Sequence, residues 1–558
     1  MEVSELVRTL LTKRGITDEE TIAKFLQPDF VRDTHDPMAL QEMDRAIGRI
    51  LSAMQHKEKI TLYADFDCDG IPGAAVLYDT FAKIGYENIE VYIPHRDMEG
   101  YGFHTDAIEK LAKKGVSLII TIDVGTVAYE GASHAKQRGI DVIVTDHHEV
   151  KETLPDAFAI INPKLGNYPF RDLCGAAVAW KLASALLTEG RKRNLAAFTA
   201  IPEGWEKWLL DLVAIATIAD MVPLVGENRT LAYFGLTVLR KTQRPGIRAL
   251  CAQLRLRQSE LTEDDISFSF APRINAASRM GDPETAFQLL VAKNSRDAEK
   301  LVAHLEELNA RRKGAVGSIV REAKKRVSMR FSSADQVIVL GDVEWKPALL
   351  GLVANSIVGE RGGLVCMWGR NGKGELKGSC RSDGSISVVE LFSRAALSFE
   401  EYGGHHGSGG FSVSHEAVHT LHDVLKNAAA QIEAATIQKR DEYDATVALS
   451  EISFPLFRDV SRLAPFGLGN LKPIFRIPRA SIGSVRSFGK EKNHVEVTLS
   501  CFATGVTARA FDFFRLPSDF AFAPQPGQES DVLATLVHDT FRGQNSLALR
   551  LVDITRVT

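Results

Sequence analysis

Acidic residues follow short apolar segments at several places in the first half of the chain. Asp65, Asp67 and Asp69 alternate in LYADFDCDG, and Asp123 follows another apolar run in TIDVG. Three carboxylates within five residues repel one another, and they can be held together at the end of a strand only if cations compensate their charge. The spacing therefore indicates a cation site rather than an ordinary turn.

Two later segments add the remaining chemistry. TDHHE supplies His147 and His148 after an apolar run, and AIATIADMVPL supplies Asp220 at the end of an apolar, helix-like segment. Oxygen ligands combined with imidazole favour Mn²⁺ or Mg²⁺ over a metal bound by sulfur. Two such ions about 3.5–4 Å apart generate a hydroxide from water and stabilise charge on a phosphoryl group. Taken alone, DxDxDG is also typical of a calcium-like loop or a solvated turn, DHH of a cap or a surface cluster, and an Asp at a helix end of a cap. The four motifs in this order predict a two-metal site.

The segments that end in these residues resemble the strands of a parallel sheet. Apolar runs at 59–65, 89–93, 117–123 and 141–146 alternate with helix-like stretches at about 74–85, 104–114 and 128–138. Strands that alternate with helices in this way are typical of an α/β fold with a doubly wound parallel sheet. Ligands of such sheets collect at the carboxyl ends of the strands, so we expect the acids and histidines to meet at one edge.

The rest of the chain contains further elements of three kinds. Residues 1–58 have helical periodicity, 209–223 predict a buried helix, and 295–326 predict a long charged helix. A second α/β unit begins near 335, with strands in VIVLGD and LVCMW, helices near 347–358 and 416–436, and glycine-rich turns at 369–384 and 403–410. Strand-like runs from 444 onwards predict an all-β domain, for which a small barrel is the natural closure.

Composition excludes several classes of protein. The 558 residues carry 67 basic and 71 acidic side chains, a formal net charge of −4, so any attraction to nucleic acid must come from local patches. One such patch is 228–258, which has seven basic residues and no acidic one; it is either the wall of a groove or a solvated helical face. No apolar run approaches the length of a membrane span, and the N-terminus is too polar for a secretory signal. Six cysteines without a CxxC pair argue against a disulfide framework or a zinc ribbon. We therefore expect a reduced, cytoplasmic, multidomain protein.

The motifs also resemble those of a known family. YADFDCDGIPGAA, TIDVG, TDHHE and AIATIADMVPL are similar to the four successive motifs of the DHH phosphoesterase superfamily. PRINAASRMGDP (272–283), GSCRS (378–382), YGGHHGSGGF (402–411) and LAPFGLGNLKPIF (463–475) narrow the resemblance to the RecJ family of single-strand-specific exonucleases. The resemblance implies an N-terminal helical segment (1–58), a DHH domain (59–250), a connecting helical region (251–330), a DHH-associated substrate-binding domain (331–440) and an oligonucleotide-binding-fold domain (441–558).

The resemblance also implies roles for individual residues. The first metal would be held by Asp65, Asp67 and Asp123, and the second by Asp69, Asp123, His147 and Asp220, with Asp123 bridging. His148 would face the substrate as an acid or electrophile, and His405 would approach the scissile phosphate from the second domain. The residues that would hold the strand are Arg96, Arg273, Asn275, Arg279, Ser379, Arg381 and His405. The sequence departs from the family pattern at Lys346, Ser278 and His406, none of which is an expected ligand.

The function that the resemblance implies is hydrolysis of single-stranded DNA from the 5′ end to mononucleotides, in DNA repair and recombination. The expected partners are single-stranded DNA, single-strand-binding protein and a RecQ-type helicase, and the expected state is a monomer. One alternative is a DHH phosphodiesterase of short oligonucleotides or cyclic dinucleotides. Another is a non-catalytic nucleic-acid-binding factor. The long C-terminal domain argues against the first and the complete ligand set against the second.

Overall fold

The computed structural model describes residues 3–432, 442–489, 491–539 and 545–557. The helices are α1 (Glu5–Thr12), α2 (Glu19–Leu26), α3 (Met43–Gln55), α4 (Gly70–Ile84), α5 (Thr105–Lys113), α6 (Tyr129–Gln137), α7 (Gly175–Lys192), α8 (Ala196–Thr199), α9 (Leu210–Ala219), α10 (Gly226–Leu239), α11 (Pro245–Leu254), α12 (Glu263–Asp265), α13 (Ala271–Arg279), α14 (Pro283–Leu290), α15 (Ser295–Arg330), α16 (Pro347–Arg361), α17 (Val388–Arg394), α18 (Leu421–Ala429) and α19 (Phe454–Ser461). The strands are β1 (Lys59–Ala64), β2 (Ile89–Tyr92), β3 (Val116–Ile122), β4 (Asp141–Thr145), β5 (Ala159–Ile161), β6 (Val337–Gly341), β7 (Leu364–Arg370), β8 (Leu376–Ser382), β9 (Glu401–His405), β10 (Ser408–Val413), β11 (Ala445–Thr446), β12 (Phe475–Phe488), β13 (His494–Ser500), β14 (Thr507–Asp512), β15 (Glu529–Asp539) and β16 (Ser546–Thr555).

The first sheet has the strand order β2-β1-β3-β4-β5, and all of its neighbouring strands are parallel. β1 and β3 are buried along nearly their whole length, which is why they read as continuous apolar runs. Side chains of α5 and α6 pack in one apolar core with Tyr63 of β1 and Ile119 of β3. The predicted parallel sheet is confirmed, and it brings the carboxyl ends of β1, β3 and β4 to a common edge.

Two helices follow the sequence-based expectation with shifted ends. α9 is buried on all sides, as its apolar composition predicts, and it ends at Ala219, immediately before Asp220. It contacts α4 and α7, the helices that pack beside β1 and β3. The long helix α15 runs four residues beyond its predicted end, to Arg330.

The second sheet has the order β6-β7-β8-β10-β9 and corrects one expectation. The glycine-rich segments predicted as turns at 369–384 and 403–410 mostly form strands, β8, β9 and β10. Their glycines serve close packing, since a Cβ on Gly378 would overlap the Phe411 ring and a Cβ on Gly409 would overlap Phe392. The last predicted helix of this unit is the shorter α18, and residues 433–436 of that prediction lie outside the described residues.

The C-terminal strands form the predicted barrel. β12, β13, β14, β16 and β15 are neighbours in that order, and the pairing of β12 with β15 closes the ring; β11 adds a short parallel pairing to β12. The alternating burial of β13 places Val495, Val497 and Leu499 inside. Apolar side chains of α1 and α2, among them Val7 and Ile22, belong to the same core.

The chain divides into two compact units that do not follow the order of the sequence. One comprises Met1–Asp33, Pro223–Tyr233 and Gln438–Thr558, and the other comprises Thr34–Val222 and Phe234–Ile437. The barrel thus shares a unit with the first helices, and both α/β sheets lie in the other unit. Among the described residues, no helix is long and apolar enough to cross a membrane.

Two arginines of the basic segment 228–258 belong neither to a groove wall nor to a solvated face, the two alternatives that its composition suggested. Arg229 is buried in the barrel unit, where its guanidinium donates to the carbonyls of Leu463 and Ala464. Arg244, in the other unit, pairs with Asp211 at 2.8 Å and with Asp79 at 2.5 Å. Both arginines therefore stabilise the fold instead of offering free charge to a strand.

Candidate metal centre and phosphate site

Two acidic residues of the predicted centre, Asp65 and Asp123, continue the hydrogen-bonding of the strands that precede them. The amide of Asp65 donates to the Ile122 carbonyl at 3.0 Å, and the amide of Asp123 donates to the Thr145 carbonyl at 2.9 Å. The sheet therefore fixes both backbones to the same edge. Asp123 adopts a left-handed conformation, with φ of 61°, which aspartate tolerates better than most residues and which re-aims its side chain at the turn.

The side chains of six predicted ligands converge within this edge. Three overlapping groups have potential ligand atoms within 4.8 Å of one another: Asp65, Asp67 and Asp123; Asp69, His147 and Asp220; and Asp123, His147 and His148. Nε2 of His147 lies 3.2 Å from Oδ1 of Asp123, 3.6 Å from Oδ2 of Asp69 and 3.7 Å from Oδ2 of Asp220. The structure thus brings together residues that lie as far as 155 positions apart in the sequence.

Two glycine-containing helix starts shape the centre. Asp69 accepts hydrogen bonds from the amides of Gly175 and Ala176, at 2.6 and 2.8 Å, at the first turn of α7. A Cβ on Gly175 would lie 2.6 Å from the Cβ of Asp123, so only glycine leaves room for that carboxylate. Asp67 accepts the amides of Asp69 and Gly70 at the start of α4. Helix amides with their partial positive charge hold two of the acids in place.

Burial and mutual repulsion set the electrostatics of the centre. Burial, followed by the charge of Asp67, raises the pKa of Asp69 to about 6, and burial together with Asp69 raises the pKa of Asp220 to about 9. The pKa of Asp123 is raised well above its ordinary value by burial and by the neighbouring carboxylates. Burial lowers the pKa of His147 to about 3, so this imidazole is neutral and able to ligate.

These residues fit divalent cations for a further reason. The Oδ1 atoms of Asp65 and Asp123 are buried and receive no hydrogen bond in the described part of the chain. A buried carboxylate oxygen without a donor costs free energy unless something else neutralises it. Carboxylate oxygens with one neutral imidazole are a suitable donor set for Mn²⁺ or Mg²⁺.

His148 is oriented by a residue that the sequence analysis did not single out. Nδ1 of His148 lies 2.7 Å from Oδ1 of Asp146, whose carboxylate also accepts the amides of His147 and Thr126. Burial opposes the charged form of His148, but Asp146 outweighs it and raises the pKa of His148 to about 9. The imidazole is therefore positively charged at neutral pH and can act as an acid or electrophile.

Two further rings border His148. The Tyr101 hydroxyl lies 3.2 Å from its Nδ1, and the His405 ring lies 6.4 Å away, nearly parallel to it. His405 stands at the end of β9 and is exposed, so the second sheet does deliver it to the metal-bearing edge of the first. Asp146 is the first residue of the DHH motif and Tyr101 is the tyrosine of GYG, but no signal in the sequence indicated that either residue contacts His148.

The predicted strand-binding arginines fall into two groups. Arg96, Arg279 and Arg381 cluster with Arg312 of α15, and burial together with the charges of the other three lowers the pKa of Arg279 well below its ordinary value. Within the described residues, none of these four forms an ion pair. Buried Nε atoms of Arg279 and Arg312 also have no hydrogen-bond partner there. Four guanidinium groups that form no ion pair suit an anion, although nearby acidic side chains act on the charge of Arg96. Arg312 was hidden in a helix rich in ordinary surface charge.

The other predicted substrate residues have protein partners or border the cluster. Arg273 pairs with Glu306, and Oδ1 of Asn275 accepts the amide of Cys68 within the metal loop, at 3.0 Å. Ser379 and Arg381 lie on β8, whose backbone is paired with β7 and β10 on its two sides. The amides of GSCRS are therefore used by the sheet, so a phosphate contact from this segment would have to come from its side chains.

Two departures from the family pattern lie near these residues. Lys346, at the N-terminus of α16, has its ammonium 3.7 Å from Asp97. Ser278 is buried and donates to the carbonyl of Asn275 at 3.3 Å. Both substitutions are accommodated by contacts within the protein, and neither removes a potential metal ligand.

Comparison with known proteins agrees with this architecture. The model of the DHH family N-terminal domain matches residues 59–217, that of the DHHA1 domain matches 334–433, and that of the RecJ OB domain matches 443–553. The single-stranded-DNA-specific exonuclease RecJ of Haemophilus influenzae is 30% identical over 532 residues, covering 93% of this chain and 91% of that protein. The RecJ of Bacillus subtilis is 35% identical over 508 residues, covering 89% of this chain but 62% of its own length, so this chain matches less than two thirds of that relative.

Solved structures show the same similarity. The structure of RecJ in complex with Mn²⁺ from Thermus thermophilus superposes with a TM-score of 0.78 at 26% identity, covering all of this chain and 76% of that one. The corresponding complex with Mg²⁺ gives a TM-score of 0.73 at 25% identity, covering all of this chain and 75% of that one. The family models, the sequence relatives and the solved structures thus agree, and the chain belongs to the RecJ family of DHH proteins.

Proposed function

We propose that this chain is a metal-dependent exonuclease that hydrolyses single-stranded DNA from its 5′ end to mononucleotides. The observation that carries the proposal is the acidic edge of the first sheet, where buried carboxylate oxygens without donors lie near an arginine cluster that forms no ion pair, both within the described residues. One half of this arrangement suits cations and the other suits a phosphate. The named activity of the relatives, single-stranded-DNA-specific exonuclease, supports the same conclusion.

The cations would be two Mn²⁺ or Mg²⁺ ions. We assign the first to Asp65, Asp67 and Asp123, and the second to Asp69, Asp123, His147 and Asp220, with Asp123 shared. When bound, such a pair supplies a nucleophilic hydroxide at neutral pH and compensates charge on the phosphoryl oxygens. The α7 amides hold Asp69, and the sheet fixes the backbones of Asp65 and Asp123, so the ligands are in place before any ion arrives.

The chain's own groups would position and stabilise the scissile phosphate. Asp146 keeps His148 charged and fixes its ring, so that its other nitrogen can donate to a phosphoryl oxygen or to the leaving group. Tyr101 and His405 would restrict the same space from two sides. We propose that residues 59–250 supply the metal centre and 331–440 the end-binding groups, joined by 251–330.

A direct test compares substrates in one assay. We expect Mn²⁺ to support complete degradation of 5′-labelled single strands of several lengths, with mononucleotide as the first labelled product. Duplex DNA and a cyclic dinucleotide should persist. Rapid hydrolysis of the cyclic dinucleotide with slow hydrolysis of long strands would instead favour the phosphodiesterase alternative, which the OB domain already disfavours because a small substrate does not require that platform. Three further statements remain predictions: the protein works in the cytoplasm, it is a monomer, and single-strand-binding protein or a helicase recruits it.

Arg381 provides a test of end recognition. Replacing it with alanine should weaken use of 5′-phosphorylated strands by about 1.5–3 kcal/mol, the free energy of one lost charged hydrogen bond. Strands with a 5′-hydroxyl lack the dianion and should be affected much less. The measurement is kcat/KM on the two substrates for both enzymes. An equal loss on both would show that Arg381 is a general strand contact or a structural residue.

The barrel offers a surface for incoming single strand. An aromatic cluster (Phe488, His494, Phe511, Phe513 and Phe514) lies where β12 and β14 end and β13 begins, and the Arg550 guanidinium lies 4.5 Å from the Phe513 ring. Phe514 is 79% exposed, although its ring is large and apolar. Exposed rings beside guanidinium groups suit stacking with unpaired bases.

Phe514→Ala should weaken binding of an oligothymidine by about 1–3 kcal/mol, the value of one stacked base. Anisotropy of a labelled oligonucleotide without divalent metal measures binding and avoids hydrolysis. Phe502→Ala is the matched control, because Phe502 is 98% exposed and lies outside the cluster. Equal effects of the two substitutions would exclude a specific role for the aromatic cluster.

A further inference from the structure

The helix that borders the arginine cluster has a glycine at its point of closest approach to Arg381. Gly351 is buried on the second turn of α16, and a Cβ built there would lie 2.6 Å from Nη2 of Arg381, 3.2 Å from its Cζ and 3.5 Å from Oγ of Ser379. Gly351 has ordinary helical backbone geometry, with no positive φ. The absence of a side chain is therefore not required by the backbone, and it leaves space for the guanidinium.

The Arg381 guanidinium has few other contacts that fix its position. Its described hydrogen bond runs from Nη1 to the carbonyl of Cys380, at 2.7 Å, which leaves Nη2 on the side of Gly351. The same helix also anchors Arg279, whose Nη1 donates to the Ala348 carbonyl at 2.6 Å. α16 is thus the surface against which two arginines of the cluster are set at fixed positions.

We infer that Gly351 is a positioning residue for recognition of a terminal phosphate, because it leaves the space in which Arg381 holds its guanidinium beside Arg279. The inference rests on the proposed function and adds to it a residue that touches no substrate. A methyl group at 351 would meet the movable end of a flexible side chain, so the fold can absorb it by turning Arg381 away. The arginine would then no longer point into the cluster, although every charge of the site would still be present.

The test is a double-mutant cycle. Gly351→Ala should reduce the preference in kcat/KM for 5′-phosphorylated over 5′-hydroxyl strands roughly tenfold or more, as expected when one charged contact is lost. In the Arg381→Ala background the same substitution should change that preference less than twofold, since the group it displaces is gone. Gly359→Ala is the matched control: it lies on the same helix, and its Cβ would meet nothing within 4 Å.

Each outcome of the cycle decides one question. Equal losses on both substrates, or a further tenfold loss of preference in the Arg381→Ala background, would overturn the role of Gly351. If Gly351→Ala fails to fold, the double variant should fold, because the clash partner is absent; failure of both would also overturn the inference. A wild-type enzyme without single-strand hydrolysis would count against the proposed function itself. If Arg381→Ala lowers the preference for 5′-phosphorylated strands and Gly351→Ala leaves that preference unchanged, this inference alone is overturned.

Discussion

Replacing Asp123 with alanine should lower the rate of single-strand hydrolysis by several orders of magnitude. This carboxylate belongs to two of the three potential ligand groups, and its buried Oδ1 has no hydrogen-bond donor in the described residues. Its loss would remove the ligand that we propose both ions share, and with it the activation of the attacking water. The rate is measured as mononucleotide release from labelled strands in Mn²⁺.

The control variants separate catalysis from folding and binding. Asp156→Ala removes an exposed carboxylate of the same domain and should keep the wild-type rate. Asp123→Ala should still bind single strands, because the arginine cluster and the barrel are unchanged, and it should bind fewer Mn²⁺ ions per chain. Hydrolysis within tenfold of wild type would exclude Asp123 as the shared ligand.

The second large effect is expected at His148. His148→Ala should reduce kcat by about 10²–10⁴, the range for loss of a positioned acid or base. The reason is that Asp146 keeps the His148 imidazole charged and oriented, so that its removal takes away the proposed donor to the reacting phosphate. Single-turnover hydrolysis at saturating Mn²⁺ gives the rate of the chemical step.

His147→Ala provides the contrast. This residue is the proposed ligand, so its variant should recover part of its activity as the Mn²⁺ concentration rises, whereas His148→Ala should not. His419→Ala, at an exposed histidine of the second sheet's unit, should be unaffected. Recovery of His148→Ala at high Mn²⁺ would move this residue from catalysis to metal binding.

The sequence predicted that these acids and histidines converge because several of them follow strand ends. In a parallel sheet the carboxyl ends share one edge, so Asp65, Asp123 and His147 could be placed together without coordinates. The order and hydrophobicity of the strands were sufficient for this step. The long helix α15 and the barrel were likewise visible from periodicity alone.

The arginines were less predictable, since the same side chain serves as a structural partner and as a ligand. Arg244 looked like free basic charge, but its partners Asp79 and Asp211 lie far away in the sequence. Arg312 belongs to a long charged helix, but its charge acts on Arg279 and helps to lower the pKa of that residue. Glycine was misleading for a related reason. In β8, β9 and β10 it allows close packing of the strands, and the local sequence does not distinguish this role from a turn.

The barrel's core contains side chains from the beginning of the chain. Val7, Leu10 and Leu11 of α1 lie in the same apolar cluster as Val447 and Phe475. During synthesis these residues leave the ribosome more than 400 residues before their partners. At about 5–20 residues per second, α1 must wait on the order of half a minute or more before its apolar face can be covered.

This delay makes the first helices a point of vulnerability in vivo. A nascent chain would expose the apolar face of α1 while the first α/β sheet is already able to fold. Chaperones would be expected to bind this apolar face in that interval. A barrel expressed alone from 443 onwards would lack these same core side chains and should be prone to aggregation. The segments around Val7 and Val447 are thus coupled in biogenesis, and the barrel unit is completed after the first α/β sheet.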